Sequence, residues 1–533
     1  MSAGLRPMGT TGGTARGTGR GTGRSTAGVG RGGGSREAYL AARVLNALLR
    51  EDYGGLAGRV ARTRDGVGLL LADGRWVRLE PGPPFQDFVV ARDERLGLEQ
   101  VLETLAEASD PRDADGVSAF FDECLAALHA LELHDEHRDA VLARRPSYES
   151  LAAFADHPVY PTSRARIGLS EEDLLAYAPE FAPAFELRWA AVPRAALEPG
   201  SAPALPADVA PGGLAVGGLA LGQDETLFPV HPLTVDEVRR VPGVRLLDGP
   251  RVTVRPTLSM RTVEVGPGTQ LKLPLPTSTL GVRNRRSIRP GTLADGARAE
   301  LLLRRLAGPG VLVADEQAHA HAGHEYLAWM VRRLPPGRVV PVAALNVPEV
   351  RRELDGVLPA YLRLLLRWNV RLFVRYGVAL EAHQQNLALV FQDDGMRLLV
   401  KDNDGLLASP AALEAAGIDV PPFHDARMLT DDPHALADVF VTITLHLAAA
   451  AVAFAWLPHA EAAALLRASL AEALDEHGDH PRARLLRART LDAARLTAKS
   501  MVTAGTLVAK ERSGARDVNK FYGASGPNYL RRG

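Results

Sequence analysis

One segment of the sequence gathers polar side chains whose types suit nucleotide chemistry. Glu381, His383, Gln385 and Asn386 stand directly before a predicted hairpin, and Asp402 follows the hairpin. In enzymes that use nucleotides, an asparagine and an aspartate on either side of a hairpin often hold Mg²⁺ on the phosphates, and Mg²⁺ prefers oxygen ligands. The pattern therefore indicates a nucleotide and magnesium site, and the alternative is an ordinary polar hairpin.

A pair of arginines stands well ahead of this segment. Two prolines and the alternating Arg164 and Arg166 in residues 156–168 predict an extended path. Side chains two residues apart in an extended segment point the same way, so both guanidinium groups could bind one anion. The alternative is a solvated arginine pair ahead of a helix.

Two further segments combine cations with hydroxyl groups. Ser259, Arg261 and Thr262 predict a clamp for a phosphate or a carboxylate. Lys272 lies between two leucines in a predicted strand, where a compact ammonium suits a phosphate oxygen. Thr279 and several arginines follow it, namely Arg283, Arg285 and Arg286.

Other kinds of chemistry have weaker support. His319, His321 and His324 could ligate a metal, but the alanines and glycine around them favour a mobile loop. The sequence has no Gly-x-Ser-x-Gly elbow and no Walker A loop, and Cys124 lacks the context of a nucleophile. Because cationic groups outnumber candidate nucleophiles, we expect a polyanionic substrate and electrostatic catalysis.

Composition excludes several classes of protein. The 533 residues carry 62 basic and 63 acidic side chains. The chain therefore lacks the net positive charge that would predict binding to nucleic acid or to an anionic membrane. One cysteine permits neither an internal disulfide nor a cysteine zinc site, which suits a reducing, cytoplasmic location. Only five of the basic residues are lysines, at 272, 401, 499, 510 and 520. Each lysine therefore merits separate attention.

The chain divides by composition into a tail and three domains, with an α+β fold. Residues 1–36 are rich in Gly and Arg and predict a disordered tail. A mostly helical domain is expected at 37–192, a β-rich domain at 193–340 and a helix-rich domain at 341–533. The uncharged run 439–457 predicts a buried core helix, with a membrane span as the alternative.

Taken in order, these clusters resemble the NRPS-independent siderophore synthetases, the IucA/IucC family. The likeness extends from Phe154 to Leu457 and rests on six short motifs in the order that the family has them. The matching positions are His157, Pro158, Pro161, Arg164, Arg166 and Gly168; Pro229, His231 and Pro232; Thr257, Ser259, Arg261 and Thr262; Lys272, Thr279 and Arg283; Glu381, His383, Gln385 and Asn386; and Lys401 with Asp402.

The chain departs from the family pattern mainly at the edges of these motifs. The departures affect the expected specificity for the acid and the amine more than the expected use of ATP. The interval from Lys272 to Thr279 is also one residue short, so either Arg283 or Arg286 could be the substrate arginine, and Arg283 is the one we predict. The departures are Tyr160 for a histidine, Arg164 for a lysine, Leu233 and Thr234 for Trp-Gln, and Lys401 for an arginine.

The resemblance implies a fold like a cupped hand, with thumb, fingers and a helix-rich palm. It implies an acid–amine or acid–alcohol ligase that uses ATP and Mg²⁺, adenylates citrate or a related carboxylate, and releases AMP and pyrophosphate. A homodimer is a further implication. A kinase-like phosphotransferase and an inactive relative of the family are the alternatives.

The resemblance also implies roles for the residues of the four clusters. His383, Arg283 and Lys272 would be catalytic, and Glu381 with Asp402 would hold Mg²⁺. The acid would contact Arg164, Arg166, Thr279 and Arg283. ATP would contact Ser259, Arg261, Thr262, Lys272, His383, Gln385 and Asn386.

Overall fold

The computed structural model describes residues 33–64, 66–82, 86–210, 221–249, 251–515 and 520–531. Residues 1–32 of the predicted tail lie outside the described residues, and residues 33–36 form the start of the first helix. Helices and sheets both contribute to the core, so the predicted α+β fold is confirmed.

The N-terminal region packs helices against a four-stranded antiparallel sheet of order β1-β2-β3-β4. Strands β2 and β3 form a hairpin whose turn contains an Asp-Gly pair, with Gly74 in the left-handed region at φ 81°. The elements are α1 (Gly33–Glu51), β1 (Ala61–Thr63), β2 (Gly66–Leu70), β3 (Trp76–Pro81), β4 (Phe88–Val90), α2 (Leu98–Ala108) and α3 (Ala114–Ala143).

The middle region carries ten of the 21 strands of the described residues. Its main sheet has six strands in the order β13-β14-β11-β10-β9-β5, and a three-stranded sheet, β7-β6-β8, packs beside it. The elements are α4 (Tyr148–Ala152), α5 (Glu171–Tyr177), β5 (Phe185–Glu186), β6 (Arg188–Pro193), β7 (Glu225–Val230), α6 (Val235–Arg239), β8 (Arg245–Leu247), β9 (Thr253–Pro256), β10 (Thr262–Gly266), β11 (Thr269–Lys272), α7 (Thr292–Leu306), β12 (Val311–Val313), β13 (Asp315–His321) and β14 (Ala328–Arg333).

The C-terminal region surrounds the predicted hairpin with helices. The hairpin is present as β17 and β18, which lie in the sheet of order β12-β18-β17-β15. The elements are β15 (Arg338–Pro341), α8 (Pro348–Glu353), α9 (Val357–Arg371), β16 (Val378–Ala379), β17 (Leu387–Gln392), β18 (Gly395–Val400), β19 (Leu407–Ala408), α10 (Pro410–Ala415), α11 (Pro433–Val439), α12 (Ala451–Trp456), α13 (His459–Asp475), α14 (Pro481–Arg489), β20 (Arg495–Lys499), α15 (Lys510–Ser513) and β21 (Tyr522–Pro527).

Helices α11 and α12 are joined by the π-helical segment Phe440–Ala450 into one helix, Pro433–Trp456. By length and composition this is the one helix among the described residues that could cross a membrane, but 78% of its most apolar window is buried inside the protein. Every residue of Phe440–Ala450 is buried. This arrangement is that of the core helix that the sequence predicted.

The three largest hydrophobic cores among the described residues hold these regions together. The largest lies among the helices and the hairpin of the C-terminal region, and a second lies among the strands of the middle region. The N-terminal core is completed by Met501, Val502 and Leu507 from the end of the chain. Because burial of apolar side chains is the main favourable term in folding, this return fixes a C-terminal segment against the N-terminal helices.

Candidate active site

A cleft with a volume of about 280 Å³ lies where the three regions meet. Ten of the thirteen predicted site residues line it, although they come from segments more than 200 residues apart. These ten residues are Arg164, Arg166, Ser259, Arg261, Thr279, Glu381, His383, Gln385, Asn386 and Asp402.

The segment ahead of β17 is held by its own backbone. The backbone N–H of His383 donates to the carbonyl of Glu381 at 3.0 Å, and that of Asn386 donates to the carbonyl of His383 at 2.9 Å. The Asn386 side chain donates to the carbonyl of Glu381 at 3.1 Å. These tight turns place a carboxylate, an imidazole and two amides on one wall of the cleft, which is the local result that the sequence pattern predicted.

Asp402 lies beside this segment, where its carbonyl accepts the Asn386 side chain at 3.4 Å. It has a left-handed conformation at φ 61° and joins a buried ion network. Lys272, which is 1% exposed, bonds Asp402 and also Asp404 Oδ2 at 3.2 Å. Burial alone would raise the pKa of Asp402, but Lys272, Arg332 and Arg261 lower it well below its usual range. The Asp402 carboxylate is therefore ionised at neutral pH and can supply oxygen ligands to a cation.

Lys272 was predicted to contact ATP, and the structure corrects its placement. Its side chain lies behind Asp402 and does not line the cleft. The reason is that strand β11 turns this side chain towards two carboxylates, which compensate the burial of its charge. In this position Lys272 orients Asp402.

Lys401 likewise connects two segments of the site. Its ammonium bonds Glu149 Oε1 at 3.0 Å, and both side chains are buried. The other oxygen of Glu149 accepts the backbone N–H of Leu258 at 3.0 Å. The pair thus attaches the end of the hairpin to the turn that carries Ser259.

The turn after β9 presents Ser259 and Arg261 to the cleft. Met260 lies between them at φ 62°, and Ser259 Oγ accepts the backbone N–H of Thr262 at 3.1 Å. Thr262 was predicted to bind ATP, but it is buried in β10 and does not line the cleft, because alternate residues of a strand face opposite sides.

The other end of the cleft is strongly cationic. Arg164 bonds Asp156 at 2.6 Å, Arg166 lies 3.5 Å from Glu180, and Arg285 lies 3.1 Å from Glu325. The two remaining lining arginines are Arg261 and Arg286.

Within the described part of the chain, neither Arg261 nor Arg286 makes an ion pair with a carboxylate. Arg261 donates instead to the carbonyl of Ser287 at 3.2 Å, and Arg286 donates to Thr279 Oγ1. Burial, together with repulsion by Arg261 and Arg166, lowers the pKa of Arg286 to about 9. At neutral pH the group keeps its charge. Since like charges at close range destabilise one another, this end of the cleft is suited to an anion that would compensate them.

Arg283, our predicted substrate arginine, lies outside the cleft. Its backbone N–H donates to the carbonyl of Gly505 at 3.1 Å, and its guanidinium donates to the carbonyl of Ala504 at 3.4 Å. The turn at Gly281 directs Arg283 towards the C-terminal segment and brings Arg286 into the site. The structure therefore assigns the position beside Thr279 to Arg286.

His383 and His157 are both half-buried and both line the cleft. Burial, reinforced by the charge of Lys499, lowers the pKa of His383 to about 4. Burial likewise lowers the pKa of His157, whose Nδ1 accepts the backbone N–H of Tyr160 at 3.0 Å. Both rings are therefore neutral at physiological pH, and His383 acts as a polar hydrogen-bonding group.

Lys499, at the end of β20, also lines the cleft and was missed from the sequence. It is 8% exposed. No motif surrounds it, and the scarcity of lysine was the one signal that could have identified it. Three of the five lysines of the chain thus belong to the site or to its supports.

The predicted metal ligands Glu381 and Asp402 both line the cleft, and the Glu381 carboxylate packs so closely on Gly405 that a Cβ there would lie 1.9 Å from Oε2. Among the described residues, no group of three His, Cys, Asp or Glu side chains could hold a metal ion by itself. Two carboxylates nevertheless fit Mg²⁺, which usually takes its remaining ligands from phosphates and water.

Only the end of the histidine-rich segment is a loop, since His324 lies between β13 and β14. His319 and His321 belong to β13, and the His321 ring contacts the carbonyl of Ile288 at 3.0 Å. The prediction of a mobile loop there was wrong, because alanines at alternate positions allow close packing in the sheet.

Comparison with known proteins agrees with the motifs. The model of the IucA / IucC family matches residues 147–347, the part of the chain that includes α4 and the six-stranded sheet. Residues 147–347 belong to the IucA/IucC family. A second model, described as ferric iron reductase FhuF-like transporter, matches residues 358–510. The resemblance predicted from the motifs is therefore confirmed.

Three known proteins show how far the similarity to this family extends. The rhizobactin siderophore biosynthesis protein RhbC of Rhizobium meliloti is 25% identical over 310 residues, which are 47% of this chain and about half (52%) of RhbC. The crystal structure of the petrobactin biosynthesis protein AsbB from Bacillus anthracis superposes with a TM-score of 0.73 at 16% identity, covering 93% of this chain and 96% of AsbB. ATP-bound aerobactin synthetase IucA from Klebsiella pneumoniae gives a TM-score of 0.66 at 17% identity, covering 92% and 99%. The two structures share the fold of this chain.

Proposed function

We propose that this protein is an ATP-dependent siderophore synthetase that adenylates a carboxylate and condenses the activated acid with an amine or an alcohol. The observation that carries the proposal is that Arg261 and Arg286, which make no ion pair with a carboxylate among the described residues, face a cleft whose opposite wall holds Glu381 and Asp402. Cations on one wall and carboxylates on the other suit a polyphosphate with its metal ion next to an anionic acid. Relatives named for siderophore biosynthesis support the same chemistry.

The nucleotide would occupy the end of the cleft formed by the turn after β9 and the segment before β17. Ser259 and Arg261 would contact the triphosphate, with a hydroxyl and a guanidinium as donors. Gln385 and Asn386 would bind the nucleotide through their amides. The ATP-bound structure of IucA supports this use of the fold.

Glu381 and Asp402 would hold Mg²⁺, and Lys272 would keep Asp402 in place. When bound, the ion would neutralise charge on the phosphates. The ionised state of Asp402, which Lys272 and Arg332 maintain, is the state that a hard cation requires.

The acid would bind at the cationic end, where Arg286 and Thr279 are joined by a hydrogen bond. Arg164, Arg166 and Lys499 would add positive charge around it. Several cations around a small pocket favour a substrate with more than one carboxylate, such as citrate, a related di- or tricarboxylate, or its mono-amide.

In the first step, a carboxylate oxygen would attack the α-phosphorus, and the bond to pyrophosphate would break. In the second step, the amine or alcohol would attack the acyl carbon, AMP would leave with the bonding electron pair, and the nucleophile would lose a proton. Neutral His383 would donate a hydrogen bond to the charge that develops at the α-phosphate. Holding both reactants in one cleft would supply much of the remaining rate.

Hydroxylamine trapping provides the test. The purified protein is incubated with ATP, Mg²⁺, hydroxylamine and one acid at a time from a panel of citrate, 2-oxoglutarate, succinate and their mono-amides. We expect a hydroxamate from one class of acid, with an equal amount of AMP. Formation of ADP would instead support a kinase-like phosphotransferase, and absence of ATP·Mg²⁺ binding would support an inactive relative. A reaction that consumes ATP also fits a cytoplasmic location.

A further inference from the structure

Beneath the cationic end of the cleft lies a buried carboxyl group that the proposed chemistry does not use. Glu123, on α3, is 1% exposed and does not line the cleft. Its oxygens accept hydrogen bonds from Thr162 Oγ1 at 2.6 Å and from Thr506 Oγ1 at 2.8 Å. The Tyr160 hydroxyl and the backbone N–H of Gly281 also face it.

Glu123 has neutral donors around it and, among the described residues, no cation within ion-pair distance. Burial raises its pKa, and the hydrogen bonds oppose that effect. A buried carboxyl without a cation is costly, since its desolvation is compensated only by hydrogen bonds. Its contacts therefore point to a role other than charge pairing.

Each donor to Glu123 belongs to a segment that also lines the cleft. Thr162 lies two residues before Arg164, and Gly281 lies between Thr279 and Arg286. Thr506 lies seven residues after Lys499. The three segments thus meet at one carboxyl group on the side away from the substrate.

Two of these segments are also joined directly to each other. Thr506 Oγ1 accepts the backbone N–H of Val282 at 3.2 Å. Gly281 has φ 110°, and a Cβ there would lie 2.8 Å from the carbonyl oxygen of Gly505. Since no side chain fits between them, the position of Arg286 relative to Lys499 depends on this contact.

The N-terminal helices hold the C-terminal segment in place. Glu51, at the end of α1, accepts the backbone N–H of Val502 at 3.1 Å and that of Thr503 at 2.8 Å. On α3, a Cβ at Gly116 would lie 2.0 Å from the carbonyl oxygen of Leu507, so the two backbones are in contact. Glu123 therefore acts from a rigid support.

We infer that Glu123 is a positioning residue: through Thr162 and Thr506 it sets the spacing of the three cationic segments and thereby the affinity for the acid. Removing the acceptor would leave buried hydroxyl groups unsatisfied, so the segments would have to shift. Small displacements of substrate-binding groups reduce rates strongly. The inference rests on the proposed function for the identity of the ligand.

The first test compares substitutions at Thr506, whose hydroxyl donates to Glu123 and accepts the backbone N–H of Val282, with a substitution at Glu123 itself. Changes at Thr506 leave α3 intact. Thr506→Val keeps the shape and removes the hydroxyl, Thr506→Ser keeps the hydroxyl, and Glu123→Gln removes the carboxylate. Thr104→Val is the matched control, because Thr104 is equally buried in the N-terminal region and bonds the backbone N–H of Ala72.

The KM values are obtained from rates of hydroxamate formation. Thr506→Val and Glu123→Gln should raise the KM for the acid about tenfold, which corresponds to the contribution of one buried hydrogen bond. The KM for ATP should change less than about twofold, and Thr506→Ser and Thr104→Val should resemble the wild type. An equal rise in both KM values, or an unchanged acid KM in folded Thr506→Val, would overturn the inference.

Hydrogen–deuterium exchange tests the positioning without any substrate. We expect faster exchange at backbone amides of residues 279–286 and 499–507 in Thr506→Val and Glu123→Gln, and not in Thr104→Val. Unchanged exchange in both segments would overturn the inference. If the wild type forms no hydroxamate with any acid, the proposed function fails while this measurement still decides the role of Glu123.

Discussion

Replacing Arg286 by glutamine should separate binding of the acid from binding of ATP. Arg286 lines the cleft and makes no ion pair with a carboxylate among the described residues, although the charges of Asp402 and Glu381 act on it from further away. It lies close enough to Arg261 and Arg166 for their charges to lower its pKa. A glutamine retains a donor for Thr279 and removes the positive charge that we propose for the acid.

The magnitude follows from the contact that would be lost. A hydrogen bond to a charged group contributes about 1.5–3 kcal/mol, and each 1.4 kcal/mol corresponds to a tenfold change in affinity. The KM for the acid should therefore rise roughly 10- to 150-fold. The folded state should not lose stability, because the substitution breaks no ion pair and reduces repulsion with Arg261.

The assay is hydroxamate formation with the acid varied at saturating ATP, and then with ATP varied at saturating acid. Arg283→Gln is the matched control on the same loop, since Arg283 points to the C-terminal segment and makes one long bond, 3.4 Å, to Ala504. We expect this control to stay within about threefold of the wild type. The reasoning is refuted if Arg286→Gln leaves the acid KM within that limit, or if Arg283→Gln raises it as much.

Three further predictions concern the other side chains of the site and its supports. His383→Gln should lower hydroxamate formation about 100-fold, the usual cost of losing a donor to developing charge. Because the wild-type ring is neutral with a pKa of about 4, the pH–rate profile of the wild type should show no inflection near the ordinary histidine pKa of about 6.5. Such an inflection would contradict this role of His383. Lys272→Met should reduce the free energy of unfolding by about 1.5–3 kcal/mol, since it removes the main partner of the half-buried Asp402 while Arg332 and Arg261 remain near it. Urea denaturation should show part of the loss restored in Lys272→Met/Asp402→Asn, and a single variant as stable as the wild type would argue against the ion pair. Burial and the charge of Glu149 raise the pKa of Glu264 to about 7 in the folded state, against 4.5 unfolded, so the wild type loses stability as the pH rises from about 4.5 to about 7. Glu264→Gln should therefore unfold at a higher urea concentration than the wild type above pH 7, and at a similar concentration near pH 4. An equal difference at both pH values would count against the raised pKa of Glu264.

The local parts of the site were predictable because their signals are local. Strand periodicity and a turn sequence gave the hairpin β17–β18, and polar residues on either side of it marked one wall of the cleft. Motif order along the chain added the other wall at Arg164 and Arg261. None of these steps requires knowledge of a distance between remote segments.

Other positions depended on features that a linear pattern does not contain. Lys499 has no motif around it and reaches the cleft only because the C-terminal segment packs on α1 and α3. The histidines of β13 are structural because of how that strand packs in the sheet. The predicted division into helical and β-rich domains likewise does not indicate that the C-terminal segment packs on the N-terminal helices.

The sequence by itself determined the kinds of groups present, their order, the hairpin and the family. Only the tertiary structure decided that Arg286 faces the cleft while Arg283 does not, and that Lys272 lies behind Asp402. The physical reason is that the orientation of a loop side chain depends on its contacts with distant segments, here the close approach of Gly281 to Gly505. Periodicity specifies which face of an element is buried, and the packing of three cores specifies which faces meet.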